Sequence, residues 1–236
     1  LLDGQEHLNF NACWNDKAQM REHVGFEFFR KAGVLTSEAH FARVHTNGGA
    51  FQGAYFTIEG PDEAYLRRNG WDDDGAFYKC RTAMLDAGTS GYEARNNAGV
   101  ERIAEVGAFA ADLNRLSGQA LIDFLDARLN VEEFIDYQAV QDIIIDGDSV
   151  VKNWLFYIGP PGTDRSGPDL AAIAPWDIDL SHGQMYLTED VRHHDIHPLF
   201  QTQTYPFVGQ GWHGIINAVL QRAPNDYYVK AFYGRL

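Results

Sequence analysis

Positive charge is scarce in this sequence. Nineteen lysines and arginines face 33 aspartates and glutamates, which leaves a formal net charge of −14. A surface of that sign repels phosphate backbones, so binding to nucleic acid is not expected. Cysteine is scarcer still. Cys13 and Cys80 are the whole complement, enough for one disulfide or for two buried thiols, and their spacing does not decide between them. No apolar run approaches the ~20 residues of a membrane helix, so no membrane span is expected. No signal peptide is visible either. The chain begins at Leu1 rather than at methionine, as expected of a processed form or an excised segment, so the missing leader says little about location. H-E-x-x-H and G-x-S-x-G are absent, and neither cysteine lies in a protease-like context. Nucleophilic hydrolysis therefore has little support.

What the sequence does contain is material for a core. Hydrophobic residues make up 45% and aromatics 13% of 236 residues, a composition that folds. The length suits one large domain or two small lobes with a shared core. "KAQMREHVGFEFFRKA", residues 17–32, predicts a helix with Met20, Val24, Phe28 and Lys31 at helical spacing and Gly33 as its stop. "HFARVHTNGGAFQGAYFTIEG" predicts a hairpin in which Phe41, Val44, Tyr55 and Ile58 lie on two β runs joined by "NGG". "GAFYKCRTAM" reads as a strand. Residues 99–116 read as a helix with Val100, Ile103, Gly107 and Leu113 on one side, and further helices are expected over 118–130, 131–143, 211–223 and the C-terminal "DYYVKAFYGRL". "NWLFYIG" and "AAIAPWDIDL" are strand-like, separated by the loop "GPPGTDRSGPD". The layout is α+β: a β-rich N-terminal lobe over about residues 1–98 and a mainly helical C-terminal lobe over about 99–236, in a single domain.

Several clusters carry chemistry. In "IIIDGDSVVKNWLFY", Asp146 and Asp148 interrupt an apolar run, where charge is costly unless paired or metal-bound. Asp148 precedes Asn153 by five residues, the spacing by which a kinase catalytic loop supplies a base and a metal-binding amide oxygen. A turn followed by a helix cap explains the same pair. In "APWDIDLSHG", Asp177 and Asp179 alternate along an expected strand and so share a face, while Ile178 and Leu180 pack behind them. Two carboxylates on one face call for a hard cation with oxygen ligands, or else for a solvated strand end. An EF-hand fails on register, because counting from Asp177 puts the glycine and Glu189 each one place late. The hairpin glycines Gly48, Gly49 and Gly53 precede Lys79. Glycines let backbone amides approach phosphate, and a strand lysine neutralises it, although the spacing is not G-x-G-x-x-G and tight turns explain the glycines equally. "VRHHDIH", with His193, His194, Asp195 and His197, fits a zinc site or, more simply, a polar loop. "WDDDG" reads as a solvated turn. The order of these parts, Gly hairpin, strand lysine, helices, Asp-x4-Asn and strand aspartate, is the order that a protein-kinase-like fold requires.

At these residues the chain resembles the CotH family of spore-coat-type atypical protein kinases. "QAVQDIIIDGDSVVKNWLFYI", "IAPWDIDLSHG", "HLNFNACWNDKAQMREHVGFEFFRKAGV", "HTNGGAFQGAYFTIEGPDEAYL", "GAFYKC" and "AVLQRAPNDYYVKAFYGRL" are similar to the family's core, opening helix, hairpin, lysine strand and closing helices, over nearly the whole chain. The resemblance implies an atypical two-lobed kinase fold and transfer of the ATP γ-phosphate to Ser or Thr of a protein substrate, with Mg2+ or Mn2+. It implies Asp148 as catalytic base, with Asp146 as the fallback where the family often has Asn. It implies Asp177 and Asn153 as metal ligands, assisted by Asp179, and Lys79, Gly49, Gly53 and Arg95 around the nucleotide. It also implies secretion or display at a cell or spore surface. Arg95 in "YEARNN" stands where the family pattern has lysine, and Glu93, Glu101 and Glu105 are the candidate partners of Lys79. A catalytically inactive, kinase-shaped coat or surface binding module is the alternative reading.

Overall fold

The structure is a computed structural model. It describes residues 7–84, 87–146, 152–160, 170–182, 214–223 and 226–236. Helix and sheet are mixed, as expected for an α+β chain, and two antiparallel sheets organise the described residues. The first has strands β1 (Leu8–Asn11), β2 (Ala39–Thr46) and β3 (Ala50–Glu59) in the order β1-β3-β2. Its hairpin is the expected one. Asn47, Gly48 and Gly49 turn the chain with φ of 39°, 86° and 156°, a left-handed course that glycine takes without a steric cost. Gly53, with φ 144°, sits opposite Val44, where the register shifts in a bulge.

The second sheet has the order β5-β4-β6-β7, from β4 (Ala76–Cys80), β5 (Tyr92–Ala94), β6 (Trp154–Ile158) and β7 (Ala172–Pro175). It draws strands from both sides of the 98/99 boundary anticipated between lobes. Every residue of β6 and β7 is buried, which is why "WLFYI" shows no polar alternation: both faces of the sheet are covered. Tyr78, Trp154, Phe156 and Ile173 point into the larger core, shared with the helices. Phe77, Leu155, Tyr157 and Ala174 point the other way, into a smaller core under Leu35, Tyr65, Leu66 and Trp71. A leucine, isoleucine or phenylalanine among them contributes roughly 1.5–3 kcal/mol on burial.

The helices are α1 (Arg21–Lys31), α2 (Glu63–Arg68), α3 (Asn97–Glu101), α4 (Ile103–Arg115), α5 (Gly118–Arg128), α6 (Val131–Ile143), α7 (Gly214–Ile216), which runs on as a π-helical stretch Asn217–Arg222, and α8 (Asp226–Arg235). Their starts are chemically marked. Asp62, Asn96 and Asn130 accept hydrogen bonds from Tyr65 N, Gly99 N and Glu133 N, the work of N-cap side chains. Fully buried Asp16 accepts from Met20 N at 2.6 Å and Arg21 N at 2.7 Å and pairs with the Arg21 guanidinium at 3.1 Å.

Three expectations are corrected. The buried face of α1 is Glu22, Gly25, Phe26 and Phe29, while Met20 and Phe28 are exposed. The helix expected over 99–116 is two helices broken at Arg102, and Val100 is exposed. β7 stops at Pro175, so Asp177 and Asp179 lie beyond the strand rather than alternating along it. Proline offers no N–H to a ladder and suits a strand end. The strands β1 and β5 and the helix α2 were not foreseen. Both cysteines are buried and free. "WDDDG" is a turn, with Asp72 Oδ1 accepting from Asp74 N at 2.9 Å. The cluster at 193–197 and Glu189 lie outside the described residues.

Candidate active site

The ladder of the second sheet decides where the candidate residues meet. Cys80 pairs with Trp154, and Trp154 pairs with Pro175. The end of β4, the start of β6 and the end of β7 therefore lie side by side. Lys79, Asn153 and Asp177, far apart in sequence, share that end of the sheet. Asn153 N donates to Cys80 O at 3.1 Å and ties the junction together.

Two of these residues have unusual backbones. Asn153 has φ 61° and Asp177 φ 56°, the left-handed region that costs most residues energy and is visited by Asn and Asp more than by others. Asn153 leads into β6 and Asp177 lies two residues past the end of β7, so neither side chain is committed to the pleat.

Lys79 stands on β4 with its Nζ 5.3 Å from the centre of the Trp176 ring, within cation–π range. Burial pushes its pKa down, and the nearby charge of Asp177 opposes that. Glu93 is the cross-strand partner of Lys79 in register, yet the Glu93 carboxylate is bound by Arg81 and Arg95 at 2.9 Å each. Glu105 is taken by Arg102 at 2.8 Å. Arg95 is anchored further by its Nε, which donates to Pro61 O at 3.1 Å.

Asp179 accepts from Asn15 Nδ2 at 3.3 Å, and Ile178 and Leu180 are buried as anticipated. Behind them lies α1. A Cβ on Gly25 would meet Ile178 Cδ1 at 2.5 Å, so a larger residue there would push the Ile178 side chain aside. One turn earlier on the same face is Glu22, 1% exposed, which accepts from Asn11 Nδ2 at 2.7 Å. Burial, and then the charges of Asp177 and Asp179, push its carboxyl up to about 8. Burial and the same acidic neighbourhood push the Cys13 thiol up to about 12.

Asp148 lies outside the described residues. Asp146 is described and buried, its N–H donating to Gln141 O at 3.1 Å at the end of α6. The neighbouring Ile144 carbonyl accepts from His182 N, so the chain leading towards 148 lies against the segment that follows Asp177. Gly49 and Gly53 keep their contacts within the hairpin: Gly49 N donates to Thr46 O at 3.1 Å, and Gly53 faces the Tyr55 ring.

Sequence reasoning missed Glu22, Asn15, Trp176 and Arg81. Glu22 had a signal, a carboxylate in register with Phe26 and Phe29. The oxygen donors Asp177, Asp179 and Asn153 suit a hard divalent ion by type, and half-buried Asp177 and Asp179 beside buried Glu22 are a crowding of carboxylates that a cation relieves. Among the described residues, however, no three His, Cys, Asp or Glu side chains converge closely enough to hold a metal unaided.

The family model described as CotH kinase protein matches residues 1–235. The chain belongs to the CotH family. It is 26% identical over 198 residues to the inner spore coat protein H of Bacillus subtilis (strain 168), across 77% of this chain and 51% of that protein. The chain thus spans about half the length of that curated CotH relative. No helix among the described residues is long and apolar enough to cross a membrane.

Proposed function

We propose that this chain is a metal-dependent protein kinase of two-lobed, atypical form, acting at a spore or cell surface on Ser or Thr of a protein. One observation carries the reading: the β4-β6-β7 register gathers Lys79, Asn153 and Asp177 at one end of a single sheet, with Lys79 electrostatically against Asp177. Family membership and the coat-protein relative support the reaction class and the location.

Lys79 would neutralise the phosphates of ATP, and Arg95 would face them from just past the end of β5. Asp177 and Asn153, aided by Asp179, would hold Mg2+ or Mn2+. When bound, the divalent ion supplies neutralisation of phosphate charge. Asp148 would orient the substrate hydroxyl and take its proton. Asp146, being buried at the end of α6, is the reserve for that role. The left-handed turns at Asn153 and Asp177 fix the two donors in advance, and positioning with electrostatic stabilisation supplies most of the rate in phosphoryl transfer.

The test is mass spectrometry of the protein, and of an acidic test protein, after incubation with ATP and Mn2+. A phosphate adduct is expected, and the mass added also separates phosphorylation from AMP transfer. Asp148→Ala should abolish the adduct and keep nucleotide binding, whereas Asp177→Ala should abolish Mn2+-dependent nucleotide binding. Wild-type levels of transfer by both variants would overturn the site. A second reading is an inactive coat or surface binding module, which the relative's description as an inner spore coat protein favours. It requires that ATP with Mn2+ leave the melting temperature unchanged.

A further inference from the structure

In an antiparallel ladder a lysine directly opposite a glutamate normally pairs with it. Lys79 and Glu93 are opposite, and they do not pair. Arg81 NH2 donates to Glu93 Oε2 and Arg95 NH1 to Glu93 Oε1, both at 2.9 Å. Each carboxylate oxygen is therefore claimed by a different guanidinium. Lys79 makes no salt bridge with that carboxylate: its Nζ lies over the Trp176 ring, and it feels the charges of Asp177 and, after that, of Glu93. Three cations thus surround one carboxylate, in a chain whose net charge is −14. Such a local surplus, against the sign of the whole molecule, attracts anions.

The exposures differ in a way that matters. The Arg81 side chain is 67% exposed and Glu93 45%, whereas Arg95 is 27% exposed and pinned to the Pro61 carbonyl. Exposed ion pairs contribute little and are easily exchanged. Guanidinium forks fit phosphate as well as carboxylate.

We propose that Lys79, Arg81 and Arg95 form one binding cluster for the polyphosphate chain of the nucleotide, in which Glu93 is a built-in rival anion that the phosphates displace. The proposal rests on the kinase reading and adds two residues to it. Arg81 becomes a second arm on the phosphates. Glu93 becomes the group that keeps both arginines gathered while the site is empty and sets the affinity by competing. When phosphate oxygens take the guanidinium donors, the Glu93 carboxylate swings to solvent or to Lys79 across the ladder.

The test uses inorganic tripolyphosphate as probe, with a chelator present so that no divalent ion contributes, and reads affinity by calorimetry. Glu93→Gln removes the competing charge and should tighten binding about two- to fivefold, the range set by exposed ion pairs. Arg81→Ser should weaken it by a similar factor, and the loss should fade as salt rises. Arg81 is exposed, so this variant folds and keeps the test decisive even if Glu93→Gln does not. If Glu93→Gln binds no tighter than wild type, or Arg81→Ser binds no weaker, the proposal is overturned. Failure of the underlying kinase reading looks different: Mn2+-dependent ATP binding would then survive Asp177→Ala, whatever tripolyphosphate does.

Discussion

Two half-buried cations in this protein have opposite fates. Arg68, at the end of α2, gives its Nε to both oxygens of buried Glu59 at 2.8 and 2.9 Å, bonds that carboxylate again through NH2, and donates from NH2 to Thr36 O at 2.7 Å. Burial would lower its pKa, but the bonds and charge of Glu59 outweigh that and raise it. Lys79 forms no ion pair among the described residues, lies over an indole ring, and has its pKa lowered by burial. A satisfied cation is an element of structure. A desolvated cation without a salt bridge, close to an acidic turn, has binding energy left to give to a ligand.

If that contrast is sound, stability and binding should separate between the two sites. The largest effect is expected for Arg68→Ala. It strands Glu59, which is 2% exposed, and a buried charge left without its partner costs about 3 kcal/mol or more. Chemical denaturation should show the midpoint falling with an unchanged slope. A loss below about 1 kcal/mol would make Arg68 an ordinary surface pair and erase the comparison. Arg68→Lys sharpens it. The charge remains but the fork does not, so about 1–2 kcal/mol should be lost, because the planar donors that meet both carboxylate oxygens have no counterpart in an ammonium. Nucleotide binding should be unaltered in either Arg68 variant when measured at a temperature where the protein is folded.

The same contrast explains what could be read in the sequence. Local chemistry was legible. "NGG" marked the hairpin because a left-handed turn needs those residues, and "WLFYI" marked a buried strand because nothing polar interrupts it. Asp177 and Asn153 were legible as a pair because an aspartate after Pro-Trp and an asparagine before Trp-Leu-Phe-Tyr matched a family pattern. What failed depended on tertiary contacts. In α1 the stripes 20, 24, 28 and 22, 25, 26, 29 both have helical spacing, and the Gly25–Ile178 approach selects the second. β1 and β5 are short and exist because distant strands pair with them, Leu8 with Glu59 and Tyr92 with Cys80. The end of β7 was in principle readable from Pro175. The role of Glu93 was not, since the competition among Lys79, Arg81 and Arg95 for one carboxylate appears only once β4 and β5 are paired in register.

The smallest expected effect is on stability at Lys79 itself. Lys79→Met keeps the aliphatic stem over Trp176 and removes a charge that burial penalises. The sign follows from proton binding. The folded-state pKa lies below the ordinary lysine value of 10.5, so between the two the unfolded chain binds more protons and stability rises with pH. Below that window the wild type carries the full penalty of a charged, desolvated ammonium, and above it the penalty is gone. Lys79→Met should therefore melt slightly higher than wild type near pH 8, and its advantage should shrink as pH approaches 10.5. The partial exposure of Lys79 keeps the effect small. The same variant should lose binding of ATP with Mn2+. A variant that melts well below wild type at pH 8 would show that Lys79 is held by the fold as Arg68 is, and the distinction between the two cations would fail.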